Sequence, residues 1–81
     1  MANLTVNTTN VTLTSERQGF RTVLIQNLGS SAAYAIVDAN PNATVTASTG
    51  IQIAANATIP FPVYQGYVRI VSANSSDIRY T

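Results

Sequence analysis

Residues 20–27 read Phe-Arg-Thr-Val-Leu-Ile-Gln-Asn, with β-formers or leucine at every position from Thr22 to Ile25. A run this short and this branched is a strand, and its lack of alternation predicts burial on both faces. Leu28-Gly29-Ser30-Ser31 ends it, with Gly29 suited to a positive φ. Downstream, Ala32–Val37 (AAYAIV) reads as a second buried strand whose alanines let another backbone approach closely. Asp38–Asn42 (DANPN) is a turn, since Asp, Asn and Pro each favour one for a separate reason. Ala43–Ser48 is a short strand ended by Thr49-Gly50, Ile51–Ala54 begins another, and Asn56 marks a turn. Ala57–Tyr64 carries Pro60 and Pro62, which have no N–H for a central ladder, so it is an edge strand or an extended loop. After Gln65-Gly66, Tyr67–Ala73 and Asp77–Tyr80 are expected to form a hairpin around Asn74-Ser75-Ser76.

Upstream, residues 2–14 (ANLTVNTTNVTLT) alternate in two pieces. Leu4 and Val6 share one face, Val11 and Leu13 share one face, and the phase slips between them at Asn7–Asn10. That pattern fits two short strands joined by a bend, or an extended arm lying on a neighbour. Ser15–Gly19 is a polar turn. With strands at roughly 8–12-residue spacing and no helical period, the chain is expected to be all-β. The expected architecture is a small antiparallel β-sandwich or jelly-roll-like barrel of about seven to nine short strands. Residues 1–16 would be an N-terminal arm or edge strands, and 17–81 a single β-sandwich domain.

Composition narrows the chemistry. The chain has 81 residues, four Arg, one Glu and two Asp, and it lacks Cys, His, Trp and Lys. There is thus no disulfide framework, zinc finger, thiol nucleophile, histidine base or Schiff-base lysine. No cofactor is expected. A net charge of +1 is too weak for an electrostatic nucleic-acid binder. No segment approaches the ~20 apolar residues of a membrane helix, and residues 1–10 lack the basic and apolar regions of a signal peptide. The Asn-X-Ser/Thr sequons at Asn3, Asn7, Asn10, Asn42, Asn56 and Asn74 are read as chance matches in an Asn/Thr-rich chain. A single core this small seldom supplies more than ~3–5 kcal/mol, and without disulfides or metals the remaining common device is oligomerisation.

Four constellations could carry function. Asp38-Ala39-Asn40-Pro41-Asn42 matches the start of a calcium loop, but Ala43 and Thr49 stand where an EF-hand needs Gly and Glu, which favours a plain turn. Arg69 and Arg79, with Asp77 and Tyr80 nearby, can pin a hairpin or an interface, or bind an anion. Glu16, Arg17 and Arg21 cluster near a turn, as a local ion pair or as a contact with a larger assembly. Phe61, Pro62, Val63, Tyr64 and Tyr67 form the densest aromatic patch, which either caps the core or lies against a partner. Paired-carboxylate catalysis would need two of Glu16, Asp38 and Asp77 in one cleft, and all three lie in or beside expected turns, so no enzymatic activity is expected. Candidate interface residues are therefore Leu4, Val6, Val11, Leu13, Phe61, Pro62, Tyr64 and Tyr67. Deleting residues 2–12 would then abolish association and leave β-structure in place.

Phe20-Arg21-Thr22-Val23-Leu24-Ile25-Gln26-Asn27-Leu28-Gly29, Gly50-Ile51-Gln52-Ile53, Val68-Arg69-Ile70-Val71-Ser72-Ala73 and Asp77-Ile78-Arg79-Tyr80 together resemble short virion proteins of tailed bacteriophages, of the capsid decoration (cement) or head-fibre type. The similarity covers about residues 17–81. It implies a β-sandwich or jelly-roll subunit, a homotrimer, set on the outside of the phage head where capsomers meet. It also implies the major capsid protein as partner, with synthesis in the host cytoplasm. It assigns no functional residue. Two rivals stand beside it: a fibre or tail module binding a host-surface glycan through exposed Tyr, Asn and Arg, and an oligonucleotide-binding barrel, which the absence of Lys disfavours.

Overall fold

A computed structural model describes residues 2–13, 21–40, 42–63 and 66–80. Among them the chain forms strands alone: β1 (Ala2–Val6), β2 (Val11–Thr12), β3 (Arg21–Asn27), β4 (Ala33–Asp38), β5 (Ile51–Ile53), β6 (Thr58–Val63), β7 (Tyr67–Ser72) and β8 (Ser76–Tyr80). They make two four-stranded antiparallel sheets, β1-β8-β3-β6 (sheet A) and β2-β7-β4-β5 (sheet B). The molecule is thus an all-β sandwich, and its strand order is that of an eight-stranded jelly roll. Only β4 and β5 are both sequence neighbours and ladder partners; every other connection passes from one sheet to the other.

Alternation explains the core. Val6, Val23, Ile25, Phe61, Val63 and Ile78 of sheet A meet Ala33, Ala35, Ile53, Val68 and Ile70 of sheet B, with Leu13 beside them. The phase slip at Asn7–Asn10 marks the crossing from sheet A to sheet B. The inward set therefore changes from Leu4 and Val6 to Val11 and Leu13. The Ser72 N–H donates to the Asn7 carbonyl at 2.8 Å and fixes that corner. Residues 2–12 are accordingly two edge strands and not a projecting arm. Their apolar side chains face the core because each strand has a ladder partner that sets its register, Leu4 opposite Ile78 and Val11 opposite Ile70.

Several expectations are corrected. β3 is not buried on both faces: Val23, Ile25 and Asn27 point inward, while Thr22 and Leu24 face outward, Leu24 at 39% exposure. Nothing among the described residues covers that side of sheet A. Residues 43–46 pair in no ladder. β7 and β8 do not form a hairpin; the turn between them carries the chain from sheet B to sheet A. Buried Ser72 and Ser76 flank that crossing, their hydroxyl oxygens 3.3 Å apart. Each also donates to a carbonyl of the β3–β4 connection, Ser72 to Ala32 at 3.0 Å and Ser76 to Ser31 at 3.1 Å. Small hydroxyl side chains let the backbone pass between the sheets without an orphaned polar group. The expectation for Ala57–Tyr64 resolves as an edge strand: β6 pairs with β3 alone, and Pro60 and Pro62 both face outward. The Ser15–Gly19 turn lies outside the described residues.

Gly29 is required for space. A Cβ there would stand 2.7 Å from the Cα of Ser76, where β8 begins, and its φ is not positive. Backbone cannot yield as a side-chain tip does. Gly29→Ala is expected to destabilise the fold by about 1–3 kcal/mol, read as a lowered midpoint in urea or thermal unfolding. An unchanged midpoint would mean that β8 shifts freely.

Candidate functional site

The two outer faces differ. On sheet B the connection from Ala39 to Gly50 folds back over the strands. Asp38 Oδ1 accepts from the Asn40 N–H at 2.8 Å, and Asn40 Oδ1 accepts from the Asn42 N–H at 2.9 Å. The oxygens that suggested a calcium loop therefore organise successive Asx turns. Among the described residues no three acidic or other metal-ligating side chains converge. Further along, the Thr46 carbonyl accepts from the N–H groups of Thr49 and Gly50, at 3.2 and 2.8 Å, closing a tight turn.

Two hydrogen bonds hold this connection down, and a third anchors the arginine that makes one of them. Arg69 donates from Nε to the Ala43 carbonyl and from Nη1 to Thr12 Oγ1, each at 2.8 Å. The Val45 N–H donates to Asn10 Oδ1 at 2.6 Å. Val45 itself is 1% exposed although it belongs to no strand. It packs beside Gly50, whose missing side chain makes the room: a Cβ there would stand 2.7 Å from both Val45 Cγ2 and Tyr34 Cβ. Arg69 thus acts as a strap between three segments, β7, β2 and this connection.

Between the Asn7–Asn10 corner and residues 44–47 lies an open cleft of about 300 Å³. Tyr34 and Val71, cross-strand neighbours on the interior strands β4 and β7, line it together with Thr8, Asn10, Thr44 and Ala47. Tyr34 supplies the one ionisable side chain of the lining. Asn10 uses its amide oxygen to hold Val45. Among the described residues, its amide nitrogen and the hydroxyls of Thr8, Thr44 and Tyr34 have no protein partner.

Sheet A presents the opposite case. Its outer face carries Thr22, Leu24, Thr58, Pro60 and Pro62, with Leu24 opposite Pro60 and Thr22 opposite Pro62. Asp77 and Arg79 of β8 face the same way, opposite Thr5 and Asn3. Asp38 lies on the outer face of the other sheet, opposite Tyr67. The two described aspartates therefore do not share a cleft; Glu16 and Arg17, and the Arg21 side chain, lie outside the described residues.

The interface expectation divides along the pleat. Val6, Leu13 and Phe61 are buried in the core, and Leu4 and Val11 are half-buried against it. Burial between the sheets withdraws Val6, Leu13 and Phe61 from the surface, which corrects their assignment, and leaves Leu4 and Val11 partly exposed. Pro62 is exposed on sheet A, Tyr67 is half-buried on the outer face of sheet B, and Tyr64 lies outside the described residues. The aromatic patch is thus divided among the core, the outer face of sheet A and the outer face of sheet B. The sequence does not single out Tyr34, since an aromatic among alanines reads as core. The polar residues around it come from distant turns whose convergence no local pattern reveals. No protein-family model, curated protein or solved structure matches this chain.

Proposed function

We propose that the chain is a structural virion protein of the capsid-decoration type: a homotrimeric subunit that binds the outside of a phage head and stabilises joints between capsomers. The observation that carries this reading is the uncovered outer face of sheet A. It carries Thr, Leu and Pro side chains on β3 and β6 and Asp77 and Arg79 on β8, while the other sheet's outer face is roofed by its own chain. A mixed-polarity surface of this kind, whose charges are confined to β8, suits protein contact. Pro60 and Pro62 keep the β6 edge from pairing with a stray strand, so association is directed to the face. The motif resemblance supports the same reading. The action is mechanical: side chains of this face add adhesive area across neighbouring capsid subunits.

The test compares purified particles made with and without the gene for this chain. The chain is expected on intact heads, and heads lacking it are expected to release their genome at a lower temperature. Its absence from purified particles overturns the proposal. Leu24→Arg provides a separate check on the face. At 39% exposure the substitution should change stability within about 0.5 kcal/mol. It should weaken head binding at least tenfold; undiminished binding would remove this face from the contact.

A further inference from the structure

We infer that the cleft over Tyr34 is a binding site for a neutral saccharide, one or two pyranose rings of a larger glycan. This goes beyond the capsid reading and uses the opposite side of the molecule.

The site is built in advance. One bond, from the Val45 N–H to Asn10 Oδ1 at 2.6 Å, ties its two walls together. The Arg69 strap to Ala43 and Thr12 fixes the roof to sheet B. Gly50 admits Val45 beneath that roof. A ligand would not have to order these segments on arrival, which preserves its binding energy.

The chemistry of the lining then selects the ligand. No Asp, Glu or Arg lines the cleft, so a phosphate, carboxylate or ammonium group would lose its hydration and gain no charged partner. The Arg69 guanidinium is held by Ala43 and Thr12 and is not among the lining residues. A purely apolar ligand would make no use of the hydroxyls of Thr8, Thr44 and Tyr34 or of the Asn10 amide nitrogen. A pyranose satisfies both requirements. Its C–H surface suits Tyr34, Val71 and Ala47, and its hydroxyls exchange hydrogen bonds with the Thr and Asn groups.

Size and position dispose of the other occupants. A volume of about 300 Å³ is at the small end for small-molecule sites. A peptide joining by strand addition needs a sheet edge, but β4 and β7 are interior strands with both edges paired.

The test is a heteronuclear NMR titration of the full chain with neutral monosaccharides and disaccharides. Sialic acid, a phosphosugar and a Thr/Val-rich peptide serve as comparison probes. Saturable shifts are expected at residues 8–10, 34, 44–47 and 71–73 with neutral sugars. Tyr34→Ala should weaken the effective sugar at least tenfold. Thr44 is exposed, so Thr44→Val keeps the fold and should weaken it several-fold, which separates loss of contact from loss of structure. Absence of saturable shifts with every neutral sugar overturns the assignment. So does preference for the anionic probes or the peptide, or a response that maps elsewhere. Head binding by Tyr34→Ala, compared with Leu24→Arg, distinguishes failure of this site from failure of the capsid reading.

Discussion

Asn27→Asp is expected to prevent folding at neutral pH. Asn27 closes β3 with a side chain that is 0% exposed. Its Nδ2 donates to the Ser31 carbonyl at 2.8 Å and to the Ile53 carbonyl at 3.0 Å, and its Oδ1 accepts from the Gly29 N–H at 3.0 Å. Its backbone is committed as well: the N–H donates to Ala57 and the carbonyl accepts from Asn56, at 2.9 and 2.7 Å. One residue therefore joins the end of β3, the loop into β4, the end of β5 and the turn into β6. Asn56 takes a φ of 63° to complete that turn, a conformation Asn tolerates. An aspartate would set a carboxylate oxygen against two carbonyl oxygens with no water to intervene.

Each buried group left unsatisfied costs about 1–3 kcal/mol, and an unpaired buried charge more. A chain of this size has a total stability of roughly 4–12 kcal/mol. The sign of the pH effect follows. Burial disfavours the ionised form, so the folded state would bind the aspartate's proton more tightly than the unfolded chain. Stability is then greatest below the unfolded value of about 3.9 and is lost as pH rises above it. Circular dichroism melts from pH 3 to pH 7 read this directly. A native-like melt at pH 7 would remove Asn27 from the centre of the fold.

Deleting residues 2–6 is expected to abolish cooperative unfolding. The deletion removes Val6, 0% exposed, and half-buried Leu4, and leaves β8 without its partner on one side. Full burial of a valine contributes about 1.5–3 kcal/mol. Leu4 and the ladder pairs from Ala2–Tyr80 to Val6–Ser76 add to that, so the loss approaches the total available to the domain. This differs from the outcome expected of a projecting arm, whose removal would cost association and spare the sheets. Thermal unfolding and amide dispersion in an NMR spectrum distinguish the two. A shortened chain that melts sharply near the full-length midpoint would show β1 to be dispensable.

Strands were legible where pattern is local. β3, β4 and β7 stand out by branched and small apolar residues, and Pro60 with Pro62 marked residues 57–64 as an edge strand or an extended loop. The run Thr22–Ile25 misled because threonine and leucine fit an outer face as well as an inner one, and alternation is visible only when outer positions are plainly polar. Ala43–Ser48 misled for the opposite reason. Its alternation is real, but Val45 is buried under a bonded loop and not in a ladder. The hairpin of residues 67–80 failed because a short polar turn can reverse the chain within a sheet or carry it to another sheet. The choice rests on where Ser31 and Ala32 supply acceptors for Ser76 and Ser72. The cleft was illegible for the same reason: Thr8, Tyr34, Thr44 and Val71 meet only through the strand order.

That order also has a consequence in time. β1 is the first described strand to leave the ribosome, yet its ladder partner is β8, and β8 is also the inner neighbour of β3. Sheet A cannot close until Tyr80 has emerged, and until then the nascent chain holds Val6, Val23 and Ile25 with no complete sheet to bury them. Closure of sheet A is therefore dominated by distant pairings, which form slowly. Through that interval, chaperone occupancy and synthesis rate govern the yield of native protein.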